Sequence, residues 1–204
     1  MINPYLQHVN ELNIHILEMI EGKKIVLIGP PGAGKTSIYK VYFEMCNPLK
    51  LLDISLEPTR GINSSVYSLF NSNLGILDLA GQENEVWLTP NIEVFDQSNI
   101  IICIFDVMNS LESIVSFLIK IIKIKTKLNL SKCKIFAFLH KIDLVKPSYL
   151  FQKIKAIIDF FKLQYHRGQE IEIFKTSITE DFFFDTYNII GGILSLLFQK
   201  DLTA

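Results

Sequence analysis

Eight consecutive residues near the start of the chain have the types and spacing that phosphate binding requires: Gly29-Pro30-Pro31-Gly32-Ala33-Gly34-Lys35-Thr36. They fit the pattern G-x-x-x-x-G-K-S/T, in which backbone N–H groups turn inward onto phosphate oxygens and a helix N-terminus adds partial positive charge. We predict that Lys35 bridges the β- and γ-phosphates of a nucleotide and that the Thr36 hydroxyl binds Mg²⁺. The other predicted contacts in this part of the chain are Gly29, Gly32, Ala33, Gly34 and Ser37. An ordinary Gly/Pro turn is the alternative interpretation.

A second candidate string follows an apolar strand and reads Asp78-Leu79-Ala80-Gly81-Gln82-Glu83. A carboxylate at the end of such a strand suits a second contact to Mg²⁺. The N–H of Gly81 can approach a γ-phosphate, and the Gln82 side chain can hold a water for in-line attack. The alternative is a polar strand end followed by a turn, which the phosphate-binding pattern upstream makes less favourable.

Two further strings follow later strands: His140-Lys141-Ile142-Asp143 and Thr176-Ser177-Ile178. In open α/β sheets, ligands bind outside the carboxyl ends of the strands. Because each string comes directly after an apolar run, Gly29, Asp78, His140 and Thr176 are predicted to share one rim of the sheet.

The elements that must position these residues alternate between strands and helices. Apolar, β-branched runs predict strands at 24–28, 62–70, 74–78, 99–105, 134–139 and 170–175. Between and after them, helices are predicted at 37–43, 111–128, 147–162 and 180–198. Asn71-Ser72-Asn73 is predicted as a tight turn, which makes the next strand an antiparallel return. Asn47-Pro48 is predicted to stop a helix, and 49–60 to be a connection. The fold class is α/β, with a mostly parallel six-stranded sheet, one antiparallel strand, and helices on both faces.

Length and composition predict one soluble domain in the cytoplasm. The chain has 204 residues, with 20 Lys and Arg against 21 Asp and Glu, and this net charge of −1 argues against a generic nucleic-acid binder. Three cysteines without metal-ligand spacing or a signal peptide suggest a reducing compartment. No apolar run in the sequence approaches the roughly 20 residues of a membrane span.

The first 22 residues are predicted to form an amphipathic helix ahead of a domain at 23–204. One face of the helical wheel carries Ile2, Tyr5, Leu6, Val9, Leu12, Ile16, Leu17, Met19 and Ile20. Gly22 is placed to end the helix. Two interpretations stay open: the helix packs on the domain, or residues 2–20 contact a membrane or a partner. The polar face carries Glu rather than Lys, so its own attraction to anionic lipid is weak.

From Lys23 to Phe198 the chain resembles the small GTPases of the Ras superfamily, whose guanine-reading string Asn-Lys-x-Asp corresponds to residues 140–143. The resemblance implies a G domain that uses GTP, GDP and Mg²⁺. It implies that Asp143 accepts from the guanine base, that Lys141 lies along the base plane, and that Ser177 and Ile178 contact the base region with His140. It assigns the metal to Thr36, Thr59 and Asp78, and slow hydrolysis to Gln82, Lys35 and Thr59.

The departures from the general pattern point to two branches of the superfamily. His140 stands where most members have Asn, and His-Lys-x-Asp together with Thr-Ser-Ile resembles the Rag branch. Rag proteins have a further C-terminal dimerisation domain, for which we expect no room in this chain. The string Pro58-Thr59-Arg60-Gly61-Ile62-Asn63 resembles the switch string of Arf proteins, as does the amphipathic helix. The resemblance is therefore to an Arf/Rag-related GTPase, with an archaeal one among the candidates. Arg60 is either a built-in arginine finger or a surface residue.

Three functions follow as hypotheses. The first is a GTP-hydrolysing switch, for which the resemblance implies an exchange factor, an activating protein and an effector. The second is a nucleotide-dependent interaction module with negligible hydrolysis, acting as the dimer partner of a related GTPase. The third is a small-molecule kinase, against which stands the lack of an Arg-rich lid: the chain has only Arg60 and Arg167.

Overall fold

The computed structural model describes residues 22–54, 56–69, 72–164 and 171–199. The helix predicted for residues 1–22 lies outside these ranges except for Gly22, as do Asn71 of the predicted turn and Arg167. Gly22 itself is the first residue of a strand, where a Cβ would come within 2.4 Å of the Asn73 carbonyl oxygen. The strand therefore begins at the residue that was expected to end the preceding helix.

The described chain forms a six-stranded sheet, which confirms the predicted fold class. The strands are β1 (Gly22–Ile28), β2 (Ile62–Leu69), β3 (Ser72–Leu79), β4 (Ile100–Asp106), β5 (Lys134–His140) and β6 (Glu172–Thr176). Their order across the sheet is β2-β3-β1-β4-β5-β6, and only the pairing of β2 with β3 is antiparallel. The central strands are continuous apolar runs because helices cover both of their faces.

Six α-helices connect the strands: α1 (Lys35–Tyr42), α2 (Pro48–Leu52), α3 (Asn84–Leu88), α4 (Leu111–Lys127), α5 (Pro147–Gln164) and α6 (Glu180–Phe198). Short 3₁₀ turns lie at Gly81–Glu83, Ile92–Phe95 and Ile142–Leu144. The core has one cluster on each face of the sheet. Alternate residues of β1 show this division, since Ile25 packs with α1 and α6, whereas Val26 packs with α3, α4 and α5.

Two local predictions were wrong. Asn47-Pro48 begins a helix instead of ending one: the Asn47 side chain accepts from the Leu49 N–H at 2.9 Å, and Pro48 occupies the first turn of α2. An N-cap Asn followed by Pro is favourable there, because the Asn side chain satisfies an otherwise free N–H of the first turn, and Pro has no N–H to satisfy. Ser72 and Asn73 are not turn residues but the start of β3, where they pair with Leu69 and Ser68 of β2.

Helix α6 has the predicted bounds, but it is more apolar than the sequence analysis allowed. Its 19 residues reach a mean hydropathy of 1.2, so by length and composition it could cross a membrane, and it is the one such helix in the described chain. Its inner face nevertheless packs on the sheet through Ile190, Ile193 and Phe198. Three carboxylates, Glu180, Asp181 and Asp185, lie in its first two turns. We therefore interpret α6 as a helix of the domain.

Candidate functional site

The loop between β1 and α1 has the backbone geometry of an anion site. Gly32 and Gly34 have φ angles of +71° and +94°, which residues with a Cβ rarely adopt. Gly34 precedes α1 without any side-chain cap, so the first N–H groups of the helix point outward without a capping acceptor. An anion at this end would satisfy them and would interact favourably with the helix dipole.

Lys35 lies in this loop as a buried cation. Its Nζ donates to the carbonyl oxygens of Gly29 and Pro30, both at 2.9 Å. Burial lowers the pKa of Lys35 to about 8, against the opposing attraction of the Asp78 carboxylate. A phosphate beside this amine would raise its pKa again, because an opposite charge stabilises the charged form.

Three oxygen-bearing side chains from separate segments meet beside Lys35. The Thr36 hydroxyl lies 2.8 Å from the Thr59 hydroxyl and donates to Asp78 Oδ2 at 2.8 Å, and Thr59 lies 3.5 Å from the same oxygen. Burial raises the pKa of Asp78 to about 6, against the Thr36 hydrogen bond and the Lys35 charge. Asp78 Oδ1 is buried and accepts no hydrogen bond from the described residues.

This donor set fits Mg²⁺. Hydroxyl and carboxylate oxygens are the ligands of a small hard cation, and the buried, unpartnered Asp78 Oδ1 is an acceptor that a metal-bound water could satisfy. No group of three or more His, Cys, Asp or Glu side chains with metal-binding geometry occurs in the described part of the chain. The site would thus depend on phosphate oxygens for its remaining ligands, which is how Mg²⁺ is held in nucleotide enzymes.

The segment after β3 is packed onto the phosphate loop. A Cβ on Gly81 would lie 2.5 Å from Lys35 Nζ and 2.7 Å from the Pro31 nitrogen, so only glycine permits this approach. Gln82 follows on the solvent side and lines the cavity described below. The sequence predictions for Gly81 and Gln82 therefore fall at the phosphate end of the site.

Three further contacts hold this segment, and the sequence analysis did not identify them. Glu83 Oε1 accepts from the Gly61 N–H at 2.9 Å, which joins the segment to the one that contains Thr59. Asn84 Nδ2 donates to the Gly29 carbonyl at 3.0 Å, and Trp87 Nε1 donates to the Ala80 carbonyl at 3.1 Å. Their residue types have no recurrent spacing, so no pattern in the sequence points to these contacts.

His140 joins the end of β5 to the phosphate loop. Its Nδ1 lies 3.1 Å from the Thr176 hydroxyl at the end of β6, and a Cβ on Gly34 would lie 2.3 Å from its ring carbon Cδ2. Burial lowers the pKa of His140 to about 4, so the ring is neutral at neutral pH. The buried, neutral ring therefore packs against the loop and does not offer a positive charge to a ligand.

Lys141 crosses the site from the base side. Its backbone has φ of +63°, a strained value for a residue other than glycine. Its Nζ donates to the Gly32 carbonyl at 2.7 Å and to Asp106 Oδ2 at 2.8 Å. Partial burial acts to raise the pKa of Asp106, but the hydrogen bond from Lys141 prevails and holds it below its usual value. Asp106 ends β4, so the rule of carboxyl strand ends could have identified it.

Asp143 is exposed on the rim, and its neighbour Ser177 orients it. The Ser177 hydroxyl donates to Asp143 Oδ1 at 2.5 Å, while the Ser177 N–H donates to the Thr186 hydroxyl at 3.1 Å. Because that N–H is already engaged, a main-chain contact to a base would have to come from another atom. The Ile178 side chain is buried in the core cluster of α1 and α6, which leaves only its main chain for a ligand.

A cavity of about 400 Å³ opens between these segments. Its walls include the phosphate loop, Thr59, Gly81, Gln82 and Lys141, together with three apolar residues that the sequence analysis did not predict, Leu51, Ile54 and Leu56. Neither Asp143 nor Ser177 lines it, so this cavity is the phosphate half of the site. Arg60 is exposed and does not line it. Ala33 is buried beneath the loop.

Comparisons with known proteins agree with this geometry. Residues 24–199 match the family model described as the Gtr1/RagA G protein conserved region. The comparison with curated proteins gave no match. Among solved structures, the chain is similar to the bacterial selenocysteine-specific elongation factor EF-Sec, with 19% identity and a TM-score of 0.55, over 86% of this chain and 29% of that one.

A second similar structure is the translation elongation factor SelB from Methanococcus maripaludis, in complex with the GTP analogue GppNHp. It has 15% identity and a TM-score of 0.60, over 86% of this chain and 34% of that one. The chain spans about a third of the length of these two elongation factors, and at such identities the likeness shows the fold alone.

Proposed function

Because the chain belongs to the Gtr1/RagA G protein family, we propose that it is a guanine-nucleotide switch that binds GDP and GTP with Mg²⁺ and slowly hydrolyses GTP. The observation that supports this most is the convergence of Thr36, Thr59 and Asp78 beside Lys35, with Gly81 packed against the same lysine. Three separate segments meet at the place where the terminal phosphate of a nucleotide belongs.

Each group has a role in the proposed reaction. Lys35 and the N–H groups of the loop hold the β- and γ-phosphates, and Thr36, Thr59 and Asp78 are the residues that would hold Mg²⁺. The cation supplies neutralisation of the charge that develops on the transferred phosphoryl group. Gln82 orients the attacking water, and the Gly81 N–H approaches the γ-phosphate. On the base side, Asp143 accepts from the guanine N–H groups, and Lys141 covers the base plane.

The proposed hydrolysis is slow because no arginine side chain of the described residues faces the phosphate cavity. Arg60 is exposed outside it, and the charge of the transition state is then left to Lys35 and the metal. We therefore also propose an activating protein, an exchange factor and an effector. The segments around Thr59 and Gly81 become ordered in the GTP state and relax in the GDP state. We propose a cytoplasmic location.

Single-turnover hydrolysis of bound GTP tests the proposal. Gln82→Leu should retain GTP and lower the hydrolysis rate at least tenfold, since it removes the group that positions water. Gln152→Leu is the matched control, because Gln152 is exposed on α5, away from the cavity. Failure of the wild-type protein to retain any guanine nucleotide would contradict the proposal.

A nucleotide-dependent interaction module is the second candidate function. Gln82 and Arg60 are both exposed, which favours this function. An exposed Gln82 side chain is not fixed for positioning water, and an exposed Arg60 brings no cation to the phosphate. In that case GTP stays bound and unhydrolysed, wild type and Gln82→Leu have equal rates, and a related GTPase is the expected dimer partner.

A further inference from the structure

The charges of this nearly neutral chain are unevenly distributed. No Asp or Glu occurs between Glu112 and Asp143, and this stretch contains Lys120, Lys123, Lys125, Lys127, Lys132, Lys134 and Lys141. Lys120 pairs with Glu85 and Lys141 with Asp106. The basic edge is defined here as the remaining five: Lys123, Lys125, Lys127, Lys132 and Lys134. None of these five makes a salt bridge to any residue that the structure describes.

The basic edge lies at the end of the sheet opposite the candidate nucleotide site. Helix α4 begins near the rim and ends at Lys127, and β5 begins at Lys134. The Lys134 N–H donates to the Asn99 carbonyl at 3.0 Å, and Asn99 in turn exchanges two hydrogen bonds with the main chain of Lys24. Asn99, which precedes β4, therefore links the amino ends of β1 and β5 on either side of it. Gly22, where residues 1–21 join the domain, belongs to this end.

Exposed apolar side chains occur at the same end. Met45 follows the last turn of α1, and Leu163 lies in the last turn of α5; each is 73% exposed. Both helices begin at the rim with the nucleotide site and run away from it. Acidic residues also lie near this end: Glu44 precedes Met45 and is 4.0 Å from Lys40, Glu172 begins β6, Asp159 lies in α5, and Asp96 and Glu93 precede β4. Within the described residues, none of them forms a salt bridge with a lysine of the basic edge.

We propose that the basic edge docks on the surface of an anionic lipid bilayer, with the nucleotide rim facing away from the membrane. Lysines that form no salt bridge within the described part of the chain attract anionic headgroups within a Debye length, and each is worth about a fivefold gain in partitioning. The amphipathic pattern of residues 2–20 joins the domain at the same end. Its polar face carries Glu, so the basic edge would supply the electrostatic attraction that this segment lacks.

An acidic protein surface would also attract these lysines. It would leave unexplained why the exposed apolar side chains of Met45 and Leu163 lie at the same end as the charges. Exposed apolar side chains at the same end of a domain as a group of lysines are what the headgroup region of a bilayer accommodates. The proposal goes beyond the proposed nucleotide function and does not depend on hydrolysis.

Flotation of the full-length protein with vesicles tests the proposal. One set of vesicles is phosphatidylcholine alone, and in the other about a third of the lipid is phosphatidylserine. We expect binding to the second set, weakened by added salt. The variant Lys127→Gln/Lys132→Gln/Lys134→Gln should bind about a hundredfold more weakly. The control Lys146→Gln/Lys155→Gln/Lys175→Gln removes the same charge from exposed positions elsewhere and should bind within about threefold of wild type.

The proposal is overturned if the wild-type protein does not float with phosphatidylserine vesicles at low salt, or if the two triple variants bind equally. The first result would leave an acidic protein as the partner of the basic edge. GDP binding, measured in the same samples, separates this outcome from failure of the proposed nucleotide function. If the basic-edge variant does not fold, the salt dependence of wild-type flotation decides, because binding that is independent of salt contradicts an electrostatic surface.

Discussion

The side-chain amide of Asn84 and the amine of Lys35 donate to the same oxygen, the carbonyl of Gly29, at 3.0 and 2.9 Å. The residue two positions after Gln82 is thereby tied to the phosphate loop. Glu83, between them, is tied to Gly61 in the segment that contains Thr59. Gln82 thus lies next to two fixed points, and its position depends on hydrogen bonds that involve no nucleotide atom.

Replacing Asn84 should affect hydrolysis more than binding. Asn84→Ala removes one hydrogen bond, worth about 0.5–1.5 kcal/mol, so we expect single-turnover GTP hydrolysis to fall about three- to tenfold. GDP affinity should change less than about twofold, since Lys35 still holds Gly29. Glu85→Gln is the control, because Glu85 is exposed and pairs with Lys120 at the protein surface. Fluorescence of Trp87, the only tryptophan in the chain, reports whether α3 has moved. Equal rates in both variants would contradict the role of Asn84.

Asp143 should decide which base is bound. A site that uses a carboxylate to accept from guanine rejects a base without matching donors by roughly 10⁴-fold or more. We therefore expect GDP to displace a fluorescent guanine nucleotide far better than ADP. Asp143→Asn should shift the preference towards xanthine nucleotides. Asp159→Asn, an exposed carboxylate on α5, is the control. Equal competition by ADP and GDP would show that the site does not read guanine.

Arg60 should have no part in hydrolysis by the isolated protein. Its side chain is exposed and outside the phosphate cavity, so we expect Arg60→Ala to leave the single-turnover rate within about twofold of wild type. The comparison with Gln82→Leu in the same assay sets the scale. A tenfold loss in Arg60→Ala would instead identify a built-in arginine finger.

His140 should make the stability of the protein fall as the pH falls. Its pKa is lowered from 6.5 to about 4 by burial, so protonation favours the unfolded state. The loss is absent above about pH 7 and complete near pH 4, where it amounts to about 3 kcal/mol. His140→Asn removes this loss. The free energy of urea unfolding of the variant, relative to wild type, should therefore rise by that amount between pH 7 and 4. A constant difference would contradict burial of a neutral ring.

Residues 1–21 should respond to the nucleotide. The apolar face predicted for residues 2–20 is too wide to stay in water, so we expect it to cover the domain in the GDP form and to leave it in the GTP form. Vesicle flotation with GDP and with a GTP analogue, with and without residues 1–21, measures this. If the full-length protein stays in solution in both states and the truncated form only loses stability, the segment is a structural helix.

The sequence was most informative where chemistry imposes spacing. The phosphate-binding pattern, the carboxylate of Asp78 and the strings after β5 and β6 were predicted, and the structure brings them to one rim. Asn84 was missed because a single polar residue in a helix has no spacing to recognise, whereas Asp106 follows the same strand-end rule as Asp78 and was overlooked. Asn47-Pro48 was misassigned because the residue before a Pro avoids the helical conformation. Such a residue fits the end of one helix and the start of the next equally well.

Strand β3 runs without interruption from one end of the sheet to the other. Its carboxyl end bears Asp78 and continues into Gly81, while at its amino end Asn73 pairs with Gly22. An extended strand cannot shorten, and its side chains alternate between the two faces, so β3 would slip by two residues, about 6.6 Å, and the whole displacement would reach the point where residues 1–21 join the domain. A displacement of β3 at the terminal phosphate would thus also move Asn73, on the side of the molecule that bears the basic edge.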